Sequence, residues 1–137
     1  MSPADADEKF RHYIGISELD RQHYELVDHL ARLKEATANG YGYAAGAILA
    51  EIEILARIHF AVEETLMGIL FYEELDAHAR EHRDLAKKLA QFKRRAQDLE
   101  LSGDVADYIR DWLNNHVGSF DKRLAEHIRK HCTERVT

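Results

Sequence analysis

HFAVEETLMGILFYEELDAHAREH, residues 59–82, carries two pairs of the same form: His59 with Glu63, and His78 with His82. Positions i and i+4 of an α-helix lie one above the other on one face. Each pair is therefore a ready-made chelate, and the interval from Gly68 to Ala77 leaves room for a turn between two helices. The stretch reads as two helices folded back on one another, each bringing a chelate to the same place. That is half of a dinuclear metal site, and the rest of the chain must supply the other half.

Upstream, Leu19, Leu26, Val27, Leu30 and Leu33 keep helical spacing, with His23 on their stripe. Ser17 and Asp20 supply a start signal, and Asn39-Gly40-Tyr41-Gly42 a stop. The helix that ends in the quoted stretch begins near Ala44, with Ile48, Ile52, Leu55, His59, Glu63, Leu66 and Leu70 on its inner stripe. The next begins near Glu74 and runs Leu75, His78, His82, Leu85, Leu89, Phe92, Ala96, Leu99 before Ser102-Gly103-Asp104 breaks it. A fourth carries Val105, Ile109, Trp112, His116, Leu124 and Ile128. No run shows strand alternation. The pattern predicts an all-α, up-down-up-down four-helix bundle, with residues 1–17 as an N-terminal arm packed through Phe10, Tyr13, Ile14 and Ile16, and residues 18–132 as the bundle of a single domain.

The 137 residues suffice for one real core. The formal net charge of −6, without blocks of like charge, argues against a nucleic-acid partner, which needs a basic footprint. The longest apolar stretch, Tyr43 to Ala50, is too short to span a bilayer, and the acidic MSPADADEKF is no secretory signal. A lone Cys132 excludes an internal disulfide and fits a reducing compartment, so a cytoplasmic protein is expected.

Nine histidines are the unusual feature, and several occupy core positions where leucine is expected. Burying so many polar groups without partners is costly, so they must satisfy one another or bind something. Counting along the helices tests whether they meet. His23 lies 18 residues before Tyr41 and His59 18 after it, both roughly 27 Å from that turn at 1.5 Å per residue. Glu63 and His78 stand 8 and 7 residues either side of Phe71, and His82 and the segment His116–Asp121 are similarly matched about Ser102. All four helices deliver side chains to one layer: His23, His59, Glu63, His78, His82, His116 and Asp121. Seven ligands exceed what one ion can use, whereas two ions bridged by the carboxylates can use them all. Imidazole with carboxylate suits iron, manganese or zinc. Asp121 is the awkward member, because five residues turn about 140° around an ideal helix; it reaches the site from the edge of its face or through a local distortion.

The other histidines read differently. His127 and His131 lie beyond the layer without a matched carboxylate, and His12 and His29 fall on the surface. Cys132 sits near a terminus and is incidental. Of Glu63 and Glu64, stripe phase favours Glu63 as the inward one.

GISELDRQH (15–23), HFAVEETLM (59–67), HAREH (78–82) and WLNNHVGSFD (112–121) together resemble the hemerythrins, and more closely the single-domain bacterial hemerythrins. The resemblance implies a non-haem di-iron centre: one iron on His78, His82 and His116, the other on His23 and His59, with Glu63, Asp121 and an oxo or hydroxo group bridging. It also implies that Leu26, Trp112 and Leu113 line an apolar oxygen pocket. Two features depart from the family pattern: no tryptophan precedes Trp112, and Tyr72-Glu73 stands where a proline commonly follows the tyrosine. The expected function is reversible binding of dioxygen for storage, delivery or scavenging, with an unknown reductase or oxygen-consuming protein as a further partner. A sensor module and a di-iron enzyme handling peroxide or nitric oxide fit the same residues. Five histidines make a less anionic site than the carboxylate-rich di-iron oxidases, and no signalling module is legible in the chain; both favour the carrier.

Overall fold

The computed structural model describes residues 13–97 and 101–136, with side chains through His131. Four helices form the up-down-up-down bundle: α1 Ser17–Ala38, α2 Gly42–Ile69, α3 Leu75–Gln97, and a fourth that starts as α4 Gly103–His116, passes through a π turn at Val117–Asp121 and continues as α5 Lys122–Val136. Helix α1 packs on α2 and α4, α2 on α3, and α3 on α4, which closes the ring around the core. There is no strand among the described residues. No described helix is long and apolar enough to cross a membrane.

Both described turns solve the same problem, the unpaired carbonyls at a helix end. After α1, Gly40 takes a left-handed φ of 72° while the Tyr41 N–H donates back to the Ala36 carbonyl (2.9 Å). After α2 the same closure recurs, with the Tyr72 N–H donating to the Met67 carbonyl (2.9 Å). Here the left-handed position is filled by Phe71, at φ 52° and almost fully exposed. A side chain is strained in that region, and glycine is its usual occupant.

Ahead of α1, Ser17 does not cap the helix; the Ile16 position has no side-chain cap. Asp20 acts instead, its carboxylate accepting the Ile14 N–H (2.7 Å) and the Gly15 N–H (3.1 Å). The Arg129 guanidinium of α5 donates to the Ile14 carbonyl (2.6 Å). Ile14 is buried and Ile16 partly so, but Tyr13 is exposed and does not pack as expected. This latch explains the difference: it turns the backbone at Gly15, φ 87°, and seats Ile14 inward with Tyr13 turned out. Phe10, His12, Leu99 and the Cys132 side chain lie outside the described residues.

The core has two apolar ends. Leu33, Leu49, Leu89, Val105 and Ile109 fill the end near the α1–α2 turn, and Leu19, Met67, Leu124 and Ile128 the end near the α2–α3 turn. Between them lies a polar layer.

Candidate metal centre

Every buried charged or imidazole side chain belongs to that layer among the described residues: His23, His59, Glu63, His78, His82, His116 and Asp121, none more than 2% exposed. Gln22 is the one other buried polar residue. The levels counted along the helices meet in space. His23 Nε2 is 3.1 Å from His59 Nε2, and His116 Nε2 is 3.0 Å from His78 Nε2 and 3.2 Å from His82 Nε2. Glu63 Oε1 lies 3.8 Å from His78 Nε2.

The carboxylates stand between the imidazole groups. Asp121 divides its oxygens: Oδ1 faces His78 and His116 (2.9 and 3.0 Å), and Oδ2 faces His23 (3.0 Å). Glu63 Oε1 is 3.1 Å from both His59 and His82. The donors therefore form two sets, His78–His82–His116 and His23–His59, with Glu63 and Asp121 common to both.

Asp121 reaches this position through the π turn. An α-helix brings i+4 over i, so a step of five would carry Asp121 away from His116. In a π turn the i→i+5 hydrogen bond adds one residue to the turn and brings i+5 round instead. The sequence raised local distortion as one way to reach the site, and the backbone takes it at Val117–Asp121.

The residues fit a cation. The His59 Nδ1–H donates to Gln22 Oε1 at 2.6 Å, which leaves the Nε2 lone pair pointing inward at His23 Nε2 and Glu63 Oε1. The His82 Nδ1–H donates to Glu64 Oε2 at 3.2 Å with the same effect. Acceptors thus face acceptors. Both Glu63 oxygens and Asp121 Oδ1 are buried without a hydrogen bond. The 3.0–3.2 Å separations between imidazole nitrogens match two ligands at about 2.1 Å and right angles on one ion, which stand about 3.0 Å apart. Two histidines with two carboxylates, and three histidines with the same two, are donor sets of borderline softness that suit iron.

Without a cation, protons carry the compensating charge. Burial and the Asp121 charge push the Glu63 carboxyl up, but His59 and His78 outweigh them and hold it at about 2. Burial raises Asp121 as well, and His116, His23 and His78 more than reverse it, to well below the usual carboxylate range. Burial pushes the His78 imidazole down, yet Asp121 and Glu63 raise it to about 9.

The walls are aromatic. Phe60 stacks on His82 (ring centroids 4.0 Å, 9° between planes), and Trp112 stacks on His116 (4.4 Å, 13°) and meets Phe60 edge-on (5.9 Å). Phe120 stacks on the His116 ring at 5.5 Å. Leu26 and Leu113 are buried and lie one turn from His23 and His116, on the same faces. Sequence reasoning missed Gln22, Phe60 and Phe120, and gave Glu64 no role. Gln22 and Phe60 adjoin ligand positions in the chain, but their partners lie on other helices. His127 and His131 stay outside the layer as expected. They are half-buried, however, and the His127 Nε2–H donates to the Leu70 carbonyl at the end of α2 (3.1 Å). His29, also half-buried, bridges α1 to α2 through Glu51 (3.0 Å).

A four-helix bundle whose helices converge five imidazoles and two shared carboxylates on one buried layer belongs to the metal-binding class, and its donors fit a pair of ions. The family model for the Hemerythrin HHE cation binding domain matches residues 14–130, and the chain belongs to the hemerythrin family. It is 30% identical over 122 residues to a bacteriohemerythrin of Stenotrophomonas maltophilia, covering 88% of this chain and 80% of that one. It is 26% identical over 120 residues to a myohemerythrin of Riftia pachyptila, covering 88% and 89%. A wild-type hemerythrin crystal structure superposes with a TM-score of 0.79 at 28% identity, over 82% of this chain and 88% of that one. Family membership and the buried cluster together support oxygen binding, and the cluster fits a non-haem di-iron site.

Proposed function

We propose that this chain binds dioxygen reversibly at a di-iron centre, for storage, delivery or scavenging of oxygen. His78, His82 and His116 would hold one iron and His23 and His59 the other, with Glu63, Asp121 and a solvent-derived oxo or hydroxo group shared between them. The observation that carries the reading is the division of donors into three and two histidines sharing two carboxylates. That inequality gives the two-histidine side one protein donor fewer, so that side would be the one to accept dioxygen.

Held by these residues, a ferrous pair would supply the two electrons that reversible dioxygen binding requires. The chain does the rest. Five neutral imidazoles leave the centre less anionic than a carboxylate-rich one, which disfavours the higher oxidation states that attack on a substrate requires. Phe60, Leu26, Trp112 and Leu113 exclude water and protons, the agents that strip reduced oxygen from such a site. Gln22 and Glu64 fix the His59 and His82 rings with Nε2 inward.

The test is spectroscopic. The metal-free chain is loaded with ferrous iron without air, then exposed to oxygen, then flushed with inert gas. A visible charge-transfer band that appears and fades back over repeated cycles, at two irons per chain, is the expected result. A band that decays once to a ferric product, with added peroxide or nitric oxide consumed, would replace the carrier by an enzyme. Failure to bind two irons would sink the centre itself.

A further inference from the structure

Helix α2 is apolar on two sides. Its inner side carries His59, Phe60 and Glu63 with the core around them. Its outer side faces solvent, yet Ile54 is 57% exposed, Ile58 52%, Ile69 56% and Tyr43 85%. Ala47, Glu51, Ile54, Ile58, Ala61, Thr65 and Gly68 follow the four-three spacing of a coiled-coil seam along the whole helix, with Glu51 its one charged member. A helix apolar all round is ordinarily a buried one. We propose that this outer face is the contact between two copies of the chain, joined by antiparallel pairing of their α2 helices about a twofold axis.

Three observations select a second copy as the occupant. The first is size. Twenty-eight residues make a helix about 42 Å long, and a strip roughly 15 Å wide buries about 600 Å² per copy, about 1,200 Å² in all, the lower bound of a stable specific interface. The second is shape. An antiparallel register in which facing residue numbers sum to 119 sets Ile58 against Ala61 and Ile54 against Thr65 of the second copy, large against small in successive layers. The third is charge. The same register brings Arg57 within about 3 Å, along the axis, of Glu64 on the other copy. The twofold axis makes that contact twice. Arg57 is mostly exposed and pairs with Glu53 on its own helix through Nη2 (2.6 Å), which leaves its other N–H groups to reach across, and Glu64 uses only Oε2 toward His82. Parallel pairing would oppose Arg57 to apolar Val62 and Ile58 to itself. A lipid surface is a poorer occupant, because Glu51 lies on the seam and Glu53 and Glu64 flank it against a single Arg57.

The experiment is sedimentation equilibrium on the iron-loaded full chain at about 100 μM, well above the micromolar dissociation constants that an interface of this size permits. Wild type is expected at twice the chain mass of 15.8 kDa, and an Ile54→Glu, Ile58→Glu variant at the single mass, with helix content and iron content unchanged. A wild-type monomer, or a dimer indifferent to both glutamates, overturns the proposal. Register is read by oxidation in a Cys132→Ser background. Ile58→Cys chains mixed with Ala61→Cys chains should cross-link. Ala47→Cys chains should not, because the two copies of that position stand about 38 Å apart in the antiparallel pair. Ready cross-linking through position 47 would overturn the antiparallel arrangement.

Discussion

Removing the metal should cost this protein a large part of its stability. Both Glu63 oxygens and Asp121 Oδ1 are buried without a hydrogen bond. A buried acceptor left unpaired costs about 1–3 kcal/mol; the His78 proton, 2.9 Å from Asp121 Oδ1 in the metal-free protein, relieves that oxygen, so the two Glu63 oxygens place the penalty at roughly 2–6 kcal/mol. From the other direction, an ion present at about 1,000 times its dissociation constant stabilises the folded state by about 4 kcal/mol. The ranges overlap near 4 kcal/mol. Unfolding entropy near 2.1 cal/mol/K per residue, over 137 residues, converts this to a fall in Tm of about 14 °C. The assay is differential scanning calorimetry of the ferrous chain without air, before and after dialysis against a chelator, with bound metal measured in each sample. Zinc reloading should restore most of the loss, since it fills the donors without redox chemistry. A Tm that moves by less than about 3 °C while both ions are demonstrably removed would refute the argument: the layer would then be satisfied without a cation.

Other outcomes follow from the same geometry. In the chelated protein, His78 has a folded pKa raised to about 9, so its contribution is complete below pH 6.5 and lost as pH rises through 9. That amounts to at most about 3 kcal/mol; the loaded protein lacks this proton, so calorimetry at pH 6, 7.5 and 9 should show the gap between the two forms widening. Gln22→Leu removes the acceptor that holds His59 and should weaken the two-histidine metal position by about 10–100-fold, leaving one tightly bound ion in a competition titration. Phe71→Gly relieves the left-handed strain at an exposed position and should raise Tm by about 3 °C, equivalent to about 1 kcal/mol; a lower Tm would mean that Phe71 makes a contact the strain argument ignores.

The meeting of His23 with His59, and of His82 with His116, was legible because residue counts from a turn translate directly into height in a bundle. The i, i+4 pairs were legible because helix geometry fixes them locally. The inner phase of α2 was legible only in part. Ile52, His59 and Glu63 of the expected stripe are buried, whereas Ile48, Leu55, Leu66 and Leu70 are only partly so and Ala45, Leu49, Ala56 and Met67 lie deeper. Apolar residues on every side of the helix leave its hydrophobic period too weak to fix the centre of the buried face. Gln22 escaped for another reason: its partner lies 37 residues away, and no local spacing encodes that distance.

The π turn at Val117–Asp121 can also be seen as a slip in the helix's phase. Upstream, the inward positions are Val105, Ile109, Leu113 and His116; downstream they are Asp121, Leu124, Ala125 and Ile128. An uninterrupted α-helix would present positions 120, 124 and 127 instead, turning Phe120 and His127 inward and Asp121 and Ile128 out. The fourth helix thus carries one residue more than its geometry requires, absorbed within a single turn. Deleting Gly118, which has nothing within 4 Å of where a side chain would begin, should convert that turn to regular α-helix and leave everything after it facing as before. Deleting Asn115, one turn earlier, offers no such reserve and should rotate His116 by about 100° away from the centre.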